Sequence, residues 1–153
     1  MTDSTDSSGT PTRGAYGLLL LVVTVISLIA SGYLVVVHML GETPVCGPVK
    51  GCETVATSEY STVLGIPVAL LGFGLSLVLA ACSVAWWRLA DRRVLLTAYG
   101  LLLLATLAVA YLTYLELFVI HAVCVWCVTY ATTIVISLVI AALALRRGEG
   151  RRA

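Results

Sequence analysis

Four of the five cysteines in this 153-residue chain form two spaced pairs, and such pairs can do chemistry. Cys46 and Cys52 flank a short segment rich in glycine and proline, whereas Cys124 and Cys127 form a C-x-x-C motif at the start of an apolar run. Cysteine pairs occur as structural disulfides, metal ligands or redox couples. A C-x-x-C motif at a helix N-terminus favours the redox couple, because the helix dipole stabilises the thiolate that attacks a disulfide.

Two other interpretations of the pairs remain open from their spacing alone. A structural disulfide between Cys46 and Cys52 would contribute only about 2–3 kcal/mol, because it closes a small ring. A zinc site could combine the cysteines with His121, although an oxidising compartment would tend to oxidise such ligands. Haem attachment is excluded, because Val128 rather than histidine follows the C-x-x-C motif. The fifth cysteine, Cys82, lies within an apolar segment and is expected to be a small buried apolar residue.

The composition predicts that helices in a membrane position these cysteines. Hydrophobic residues make up 60% of the chain, charged residues make up 11%, and the mean hydropathy is +1.05. A soluble domain of this size could not bury so much apolar surface. A helix crosses a membrane with about 20 apolar residues. Four segments are long enough, and they predict an all-α integral membrane protein, a four-helix transmembrane bundle over residues 16–145, with spans at about 16–40, 64–87, 94–115 and 123–145.

The positions of the charges predict the orientation of the bundle. Eight of the nine Lys and Arg residues fall at Arg13, in the turn at residues 88–93 and in the tail at 146–153. Basic loops stay on the cytoplasmic side, which places both termini in the cytoplasm and both cysteine pairs outside. Residues 1–15 are predicted to be a disordered cytoplasmic tail, and residues 146–153 a basic one. The first apolar segment is too long for a signal peptide and is expected to be retained.

This arrangement suggests a relay between the two pairs. One pair is exposed enough to meet a soluble protein, and the other borders the lipid, where a lipid-soluble electron acceptor could arrive. Electrons taken from protein thiols could then leave through the bilayer, because thiol–disulfide exchange moves two electrons at each step.

Several motifs, taken together, resemble the bacterial and archaeal homologues of vitamin K epoxide reductase. These are the Cys46-x₅-Cys52 pair, the stretch "CETVATSEYSTVLGIPVALLG" with Ser58 six residues after Cys52, and "FVIHAVCVWC" with the C-x-x-C motif. They occur in the order found in that family, and the resemblance covers about residues 16–145. It implies a four-helix bundle that encloses a quinone (ubiquinone, menaquinone or a related vitamin K-type quinone), with a short cap helix at the outer surface, here roughly residues 53–64.

The resemblance also implies a role for each cysteine. Cys46 would exchange with a thioredoxin-fold partner, Cys52 would pass the electrons to Cys124, and Cys127 would deliver them to the quinone. Many relatives carry a fused thioredoxin-like domain. Because this chain ends at Ala153, the partner is expected to be a separate, DsbA-like protein. The expected function is a membrane thiol:quinone oxidoreductase that supports disulfide bond formation.

The same resemblance indicates most of the supporting residues. Ser58, Trp126 and Tyr130 are candidate quinone contacts, although Ser58 could bond to its own backbone and Trp126 could be an aromatic anchor at the membrane edge. Glu116 and His121 are candidate proton carriers near the outer boundary. The chain contains no Asn and no Gln, whereas vertebrate members use an Asn as a quinone contact, so quinone reduction is favoured over epoxide reduction.

Three other functions compete with this one. An enzyme of the DsbB type would carry the C-x-x-C motif in the first outer loop and the separated pair in the second, which is the reverse of this chain. A non-catalytic membrane scaffold would keep both pairs as unreactive disulfides. A zinc protein would hold the metal on the same cysteines.

Overall fold

The computed structural model describes residues 13–47 and 51–150, and these residues form a helical bundle. Five α-helices follow one another: α1 (Arg13–Met39), α2 (Gly51–Ala56), α3 (Val68–Leu89), α4 (Arg92–Tyr114) and α5 (Val125–Gly150). Residues 1–12 of the predicted disordered tail lie outside the described residues. Residues 13–15 of that tail belong to the first turn of α1. The four long helices α1, α3, α4 and α5 are long and apolar enough to cross a membrane. The predicted integral-membrane, all-α architecture is confirmed.

Two helix boundaries differ from the predicted spans by four residues or more. Helix α5 continues through Gly150 rather than ending near 145, since arginine is a good helix former and stabilises a helix C-terminus. The Arg147 guanidinium lies 5.2 Å above the ring of Tyr16, so the end of α5 is joined to the start of α1. Helix α3 begins at Val68 rather than 64, because a turn precedes it.

Small residues and buried hydroxyls hold the helices together. Helix α1 packs against α3 and α5, and α4 packs against α3 and α5. Ala105 and Ala141 are buried, and the Ser27 hydroxyl donates a hydrogen bond of 2.7 Å to Thr133 between α1 and α5. In lipid, close backbone approach and such hydrogen bonds drive helix association, because apolar side chains gain little there. The outer surface exposes large apolar side chains suited to lipid, among them Leu18, Ile29, Leu103, Leu104 and Leu107.

The segment between α1 and α3 forms a cap at one end of the bundle, and its helix is shorter than predicted. Helix α2 ends at Ala56, and a 3₁₀ turn (Glu59–Ser61) follows it. Two short strands come next, β1 (Thr62–Val63) and β2 (Ile66–Pro67), paired as a hairpin. The turn residues Leu64 and Gly65 have φ of 53° and 80°, the left-handed values that a two-residue hairpin turn requires. Gly65 thus turns the chain within the hairpin rather than at the end of a helix.

The connection between α4 and α5 lies at the same end. Helix α4 continues as a π-helical segment, Leu115–Ile120, and ends at His121, which has a left-handed φ of 56°. The N–H groups of His121 and Ala122 both donate to the carbonyl of Glu116. This compact turn brings the start of α5 beneath the cap.

Candidate active site

The outer cysteine pair is a disulfide within the cap. Cys46 and Cys52 are bonded to each other, with their Cα atoms 6.0 Å apart. Cys46 is partly exposed, whereas Cys52, on the first turn of α2, is only 1% exposed. Of the two sulfur atoms, the one that a soluble protein could reach therefore belongs to Cys46.

The inner pair is reduced and sits at the N-terminus of α5. The carbonyl of Cys124 accepts the first helical hydrogen bond, from Val128, at 3.0 Å. The N–H of Cys127 donates to the Cys124 sulfur at 3.4 Å. Cys124 is 2% exposed, and Cys127 is half-buried. The C-x-x-C spacing thus places both sulfurs in one helical turn.

The two pairs are neighbours in space. The sulfur atoms of Cys46, Cys52 and Cys124 all lie within 4.8 Å of one another. Gly51 makes this approach possible, because a Cβ atom there would clash with the backbone of Val123. Gly51 directly precedes Cys52, and Val123 directly precedes Cys124. The close contact between Gly51 and Val123 therefore sets the distance between the outer and the inner cysteine pair.

The surroundings of Cys124 favour its thiolate. A hydrogen bond from the Cys127 thiol lowers the pKa of Cys124, and backbone N–H groups of Cys127 and Trp126 add to this. Burial and the nearby carboxylate of Glu116 act in the opposite direction on the pKa, but the net shift is downward. A thiolate is the nucleophile of thiol–disulfide exchange. Cys124 is therefore suited to thiol–disulfide exchange with the neighbouring pair, in which a stabilised thiolate is also the better leaving group.

Glu116 and His121, the two candidate proton carriers, have different positions. Glu116 is 5% exposed, and its Oε2 accepts a hydrogen bond of 3.3 Å from the N–H of Cys124. Its carboxylate is also within hydrogen-bonding range of the Cys127 thiol. His121 is exposed, and its Nδ1 lies 3.2 Å from the carbonyl of Val119. The structure brings Glu116 into the site and leaves His121 at the surface.

A cavity of about 570 Å³ opens beside the sulfurs and reaches into the bundle. This volume falls in the range of small-molecule sites. Cys52, Cys124 and Cys127 border the cavity. Most of the other lining side chains are apolar, including Leu34, Val55, Leu75, Ala105, Val109 and Leu112. An apolar, ring-shaped ligand with polar oxygen atoms, such as a quinone, fits this combination of size and lining.

Two of the three predicted quinone contacts line this cavity. Tyr130 lies one turn below Cys127, and its hydroxyl donates to the carbonyl of Gly72 at 3.1 Å and accepts from Ser76 at 3.5 Å. Ser58 also lines the cavity, and its hydroxyl donates to the carbonyl of Val55 at 2.7 Å. Both hydroxyls thus already donate to protein carbonyls, so each would have to rotate to donate a hydrogen bond to a quinone oxygen.

The third predicted contact, Trp126, is not among the lining residues. Its indole N–H donates to the carbonyl of Val45 at 3.0 Å, and its ring packs on Tyr33 with centroids 4.4 Å apart. The hydroxyl of Tyr33 accepts a hydrogen bond of 3.1 Å from the N–H of Val45. The two aromatic residues therefore hold the backbone next to Cys46. Sequence reasoning missed Tyr33, whose only signal is its position near the outer end of α1.

The same sulfurs bear on the zinc alternative. A zinc ligand must be a thiolate, and the disulfide leaves Cys46 and Cys52 without one in this form. The fifth cysteine, Cys82, lies on α3 and is not part of the cavity lining. The arrangement is thus better suited to exchange between a disulfide and a dithiol.

The fold and the site together define a class of protein: a helical membrane protein whose two cysteine pairs meet beside an apolar cavity. Comparison with known families agrees, because the sequence profile of the Vitamin K epoxide reductase family matches residues 18–142. The chain belongs to this family. No individual curated protein matched it. The protein is therefore an integral-membrane thiol–disulfide oxidoreductase, and its family uses a quinone as electron acceptor.

Proposed function

We propose that this protein takes electrons from the dithiol of a separate thioredoxin-fold protein and passes them through its two cysteine pairs to a quinone. The partner would thereby be re-oxidised and could form disulfides in other proteins. The observation that carries this proposal is the cluster of sulfurs from Cys46, Cys52 and Cys124 within 4.8 Å, next to a cavity that Cys127 lines.

The exchange steps follow from the exposure of each sulfur. A partner thiolate attacks Cys46, the accessible sulfur, and the partner's second thiol completes its own disulfide, leaving Cys46 and Cys52 as thiols. When the inner pair is oxidised, the Cys52 thiolate attacks the Cys124 sulfur and releases Cys127. Cys46 then attacks Cys52 and releases Cys124. The outer disulfide is restored, and two electrons have moved to the inner pair.

The cavity would hold the acceptor against Cys127. A bound quinone supplies a sink for two electrons and two protons. Cys127, Tyr130 and Ser58 all line the cavity, so the two hydroxyls could turn from their backbone carbonyls to donate to the oxygen atoms of a quinone. The inner disulfide re-forms when Cys127 gives up the electrons.

The proposed orientation places the cap outside the cytoplasmic membrane and both termini in the cytoplasm. The basic residues at 88–93 and 146–147 lie at the opposite end of the bundle from the cysteines, which supports this orientation. Disulfides form and persist outside the cytoplasm, so a protein that re-oxidises a disulfide-forming partner would act there.

A single substitution tests the proposed exit for electrons. We expect Cys127→Ala to abolish quinone reduction by a reduced thioredoxin-fold protein in purified membranes, because the sulfur that borders the cavity is lost. Cys82→Ala removes a thiol of α3 outside the site and should leave the rate unchanged. The assay follows quinone absorbance after addition of reduced thioredoxin.

The outcomes separate the competing functions. Full activity in Cys127→Ala would exclude this cysteine as the exit. A scaffold with structural disulfides predicts no quinone reduction even in the wild type. A zinc protein predicts one bound metal ion per chain after purification under reducing conditions.

A further inference from the structure

Glu116 is a buried carboxylate just beyond the end of α4. It is 5% exposed, and the described residues that line the neighbouring cavity include no Lys and no Arg to pair with it. Burying an unpaired carboxylate is costly unless it is hydrogen-bonded or neutralised by a proton. Its contacts are instead the two inner cysteines, through the N–H of Cys124 and the thiol of Cys127.

The backbone is built to bring this side chain to the site. Glu116 lies in the π-helical segment Leu115–Ile120, in which an extra residue per turn rotates the side chains relative to those of α4. Such π-helical turns are rare and occur frequently at functional sites. The carbonyl of Glu116 also accepts hydrogen bonds from both His121 and Ala122, so the same residue fixes the turn into α5.

We propose that Glu116 is the acid–base group of the inner pair and exchanges one proton with Cys127. The inference rests on the relay proposed above and adds the proton that the relay has to move. Glu116 is placed for this role because its carboxylate lies at the N–H of Cys124 and borders the same cavity as Cys127, one helical turn away.

The step balances as follows. The Cys52 thiolate forms a bond to the Cys124 sulfur, the Cys124–Cys127 bond breaks, and its electron pair goes to Cys127. The protonated carboxyl of Glu116 gives its proton to the Cys127 thiolate and becomes a carboxylate. When the inner disulfide re-forms, the dithiol gives two electrons to the quinone, and the carboxylate takes that proton back from Cys127. The two protons that the quinone takes up are balanced by the two that Cys46 and Cys52 lose as the outer disulfide is restored.

Other ionisable groups face the same space and must be considered in any pH profile. The outer pair contributes no titrating thiol while it is a disulfide. From α5, Cys124 and Cys127 contact the carboxylate directly. The remaining titratable groups that line the cavity are His38, Glu42, Tyr60, Tyr111 and Tyr130.

A purely structural role is the alternative. In that case Glu116 would only accept a hydrogen bond from the N–H of Cys124 at the start of α5. Glutamine has a side-chain carbonyl at the same position and would serve equally well, but it cannot carry the proton. Glu116→Gln therefore separates the two roles, and Glu116→Ala removes both.

The experiment measures transfer between the two pairs without quinone. Fully oxidised protein, extracted free of quinone in detergent, is mixed with reduced thioredoxin, quenched with acid and alkylated, and the new thiols at Cys124 and Cys127 are counted by mass spectrometry. We expect Glu116→Gln and Glu116→Ala both to slow this transfer by about 100-fold, a usual size for the loss of an acid–base group. Glu59→Gln, an exposed carboxylate of the cap, should transfer at the wild-type rate.

A second measurement, the reactivity of Cys124 toward alkylation, should increase in Glu116→Gln while the transfer rate decreases. The carboxylate of Glu116 raises the pKa of Cys124, so its replacement by Gln should lower that pKa. Alkylation of the reduced Cys124 by iodoacetamide should then begin at lower pH in Glu116→Gln than in the wild type. A more reactive thiolate combined with slower transfer is the signature of a lost proton carrier, which a loosened structure would not give.

Each outcome decides a separate point. Wild-type transfer in Glu116→Gln would overturn the acid–base role and leave the relay intact. No new thiols on the inner pair of the wild type would overturn the relay, and this inference with it. If Glu116→Gln does not fold, Glu116→Asp carries the test, since withdrawing the carboxyl by one methylene should slow transfer by about tenfold or more. An unchanged rate in that variant would also overturn the inference.

Discussion

The four site cysteines differ in exposure and in how readily their thiols ionise. These differences indicate the order in which they exchange electrons. Cys46 is open to a partner, Cys52 and Cys124 are almost fully buried, and Cys127 borders the cavity. The pKa of Cys124 is lowered mainly by the hydrogen bond from Cys127, with help from two backbone N–H groups. One sulfur of the inner pair, Cys124, thus exchanges with the outer pair, and its stabilised thiolate is a good leaving group from Cys52. The other sulfur, Cys127, reaches the cavity.

The pH dependence of Cys124 follows from this contact. Because the folded-state pKa lies below the usual value, the thiolate is present at pH values where an ordinary cysteine, with a pKa of about 8.5, is still a thiol. Cys127→Ala removes the hydrogen-bond donor, so we expect the pKa of Cys124 to rise. This pKa can be measured from the rate of iodoacetamide alkylation of Cys124 between pH 5 and 10.

In that measurement, the midpoint of the pH profile should move to higher pH in Cys127→Ala. Cys82→Ala, whose substituted thiol lies on another helix, should keep the wild-type midpoint. An identical midpoint in Cys127→Ala would contradict the assigned cause of the shift.

Single residues also show where sequence reasoning stops. The C-x-x-C spacing fixes two sulfurs within one helical turn, so the inner pair could be predicted from local geometry alone. The role of Trp126 could not, because its hydrogen-bond partner Val45 is 81 residues away in sequence. Glu116 was a candidate by its charge in an apolar run, but only the π-helical segment shows that its side chain turns toward Cys124.

Among the secondary-structure elements, the long helices were predictable and the cap was not. Twenty or more apolar residues in a row require a helix in lipid, since every backbone group must be bonded within the segment. The cap has no such constraint. Its sequence continued a plausible helix to residue 64, but the hydroxyls of Thr57 and Ser58 bond back to the carbonyls of Glu53 and Val55 where α2 ends, and the hairpin follows.

Contact between the cap and α5 depends on Gly51. Any side chain there would meet the backbone of Val123, which cannot rotate away. We expect Gly51→Ala to push α2 from the start of α5, to lower the free energy of unfolding by about 1–3 kcal/mol as overpacking does, and to slow transfer from Cys52 to Cys124. Chemical denaturation and the quinone-free transfer assay measure the two effects.

Gly74→Ala is the matched control for this substitution. Gly74 lies within α3, and a Cβ atom there would meet no atom within 4 Å. Gly74→Ala should not lower the free energy of unfolding as Gly51→Ala does, and it should leave the transfer rate unchanged. If Gly51→Ala behaved like Gly74→Ala, the cap would not depend on close contact at this point.

The bundle as a unit explains why distant parts of the chain meet. Four antiparallel spans bring two connecting segments to one end of the bundle, the segment between α1 and α3 and the segment between α4 and α5. Both cysteine pairs lie at this end. This much could be predicted from hydropathy and from the number of spans. The distance between the two pairs could not, because it depends on how far α2 sinks onto the start of α5. The basic residues gather at the other end, as expected for a cytoplasmic face.

The most direct test of the relay is to capture the bond that joins the two pairs. In Cys46→Ala/Cys127→Ala, the only site thiols left are Cys52 and Cys124, whose sulfurs lie within 4.8 Å of each other. Under mild oxidation in membranes, we expect a disulfide between them within one chain, detected by mass spectrometry of the linked peptides, with Cys82 still free. Complete alkylation of both Cys52 and Cys124 under the same conditions, with no linked peptide, would contradict the transfer of electrons from the outer pair to the inner one.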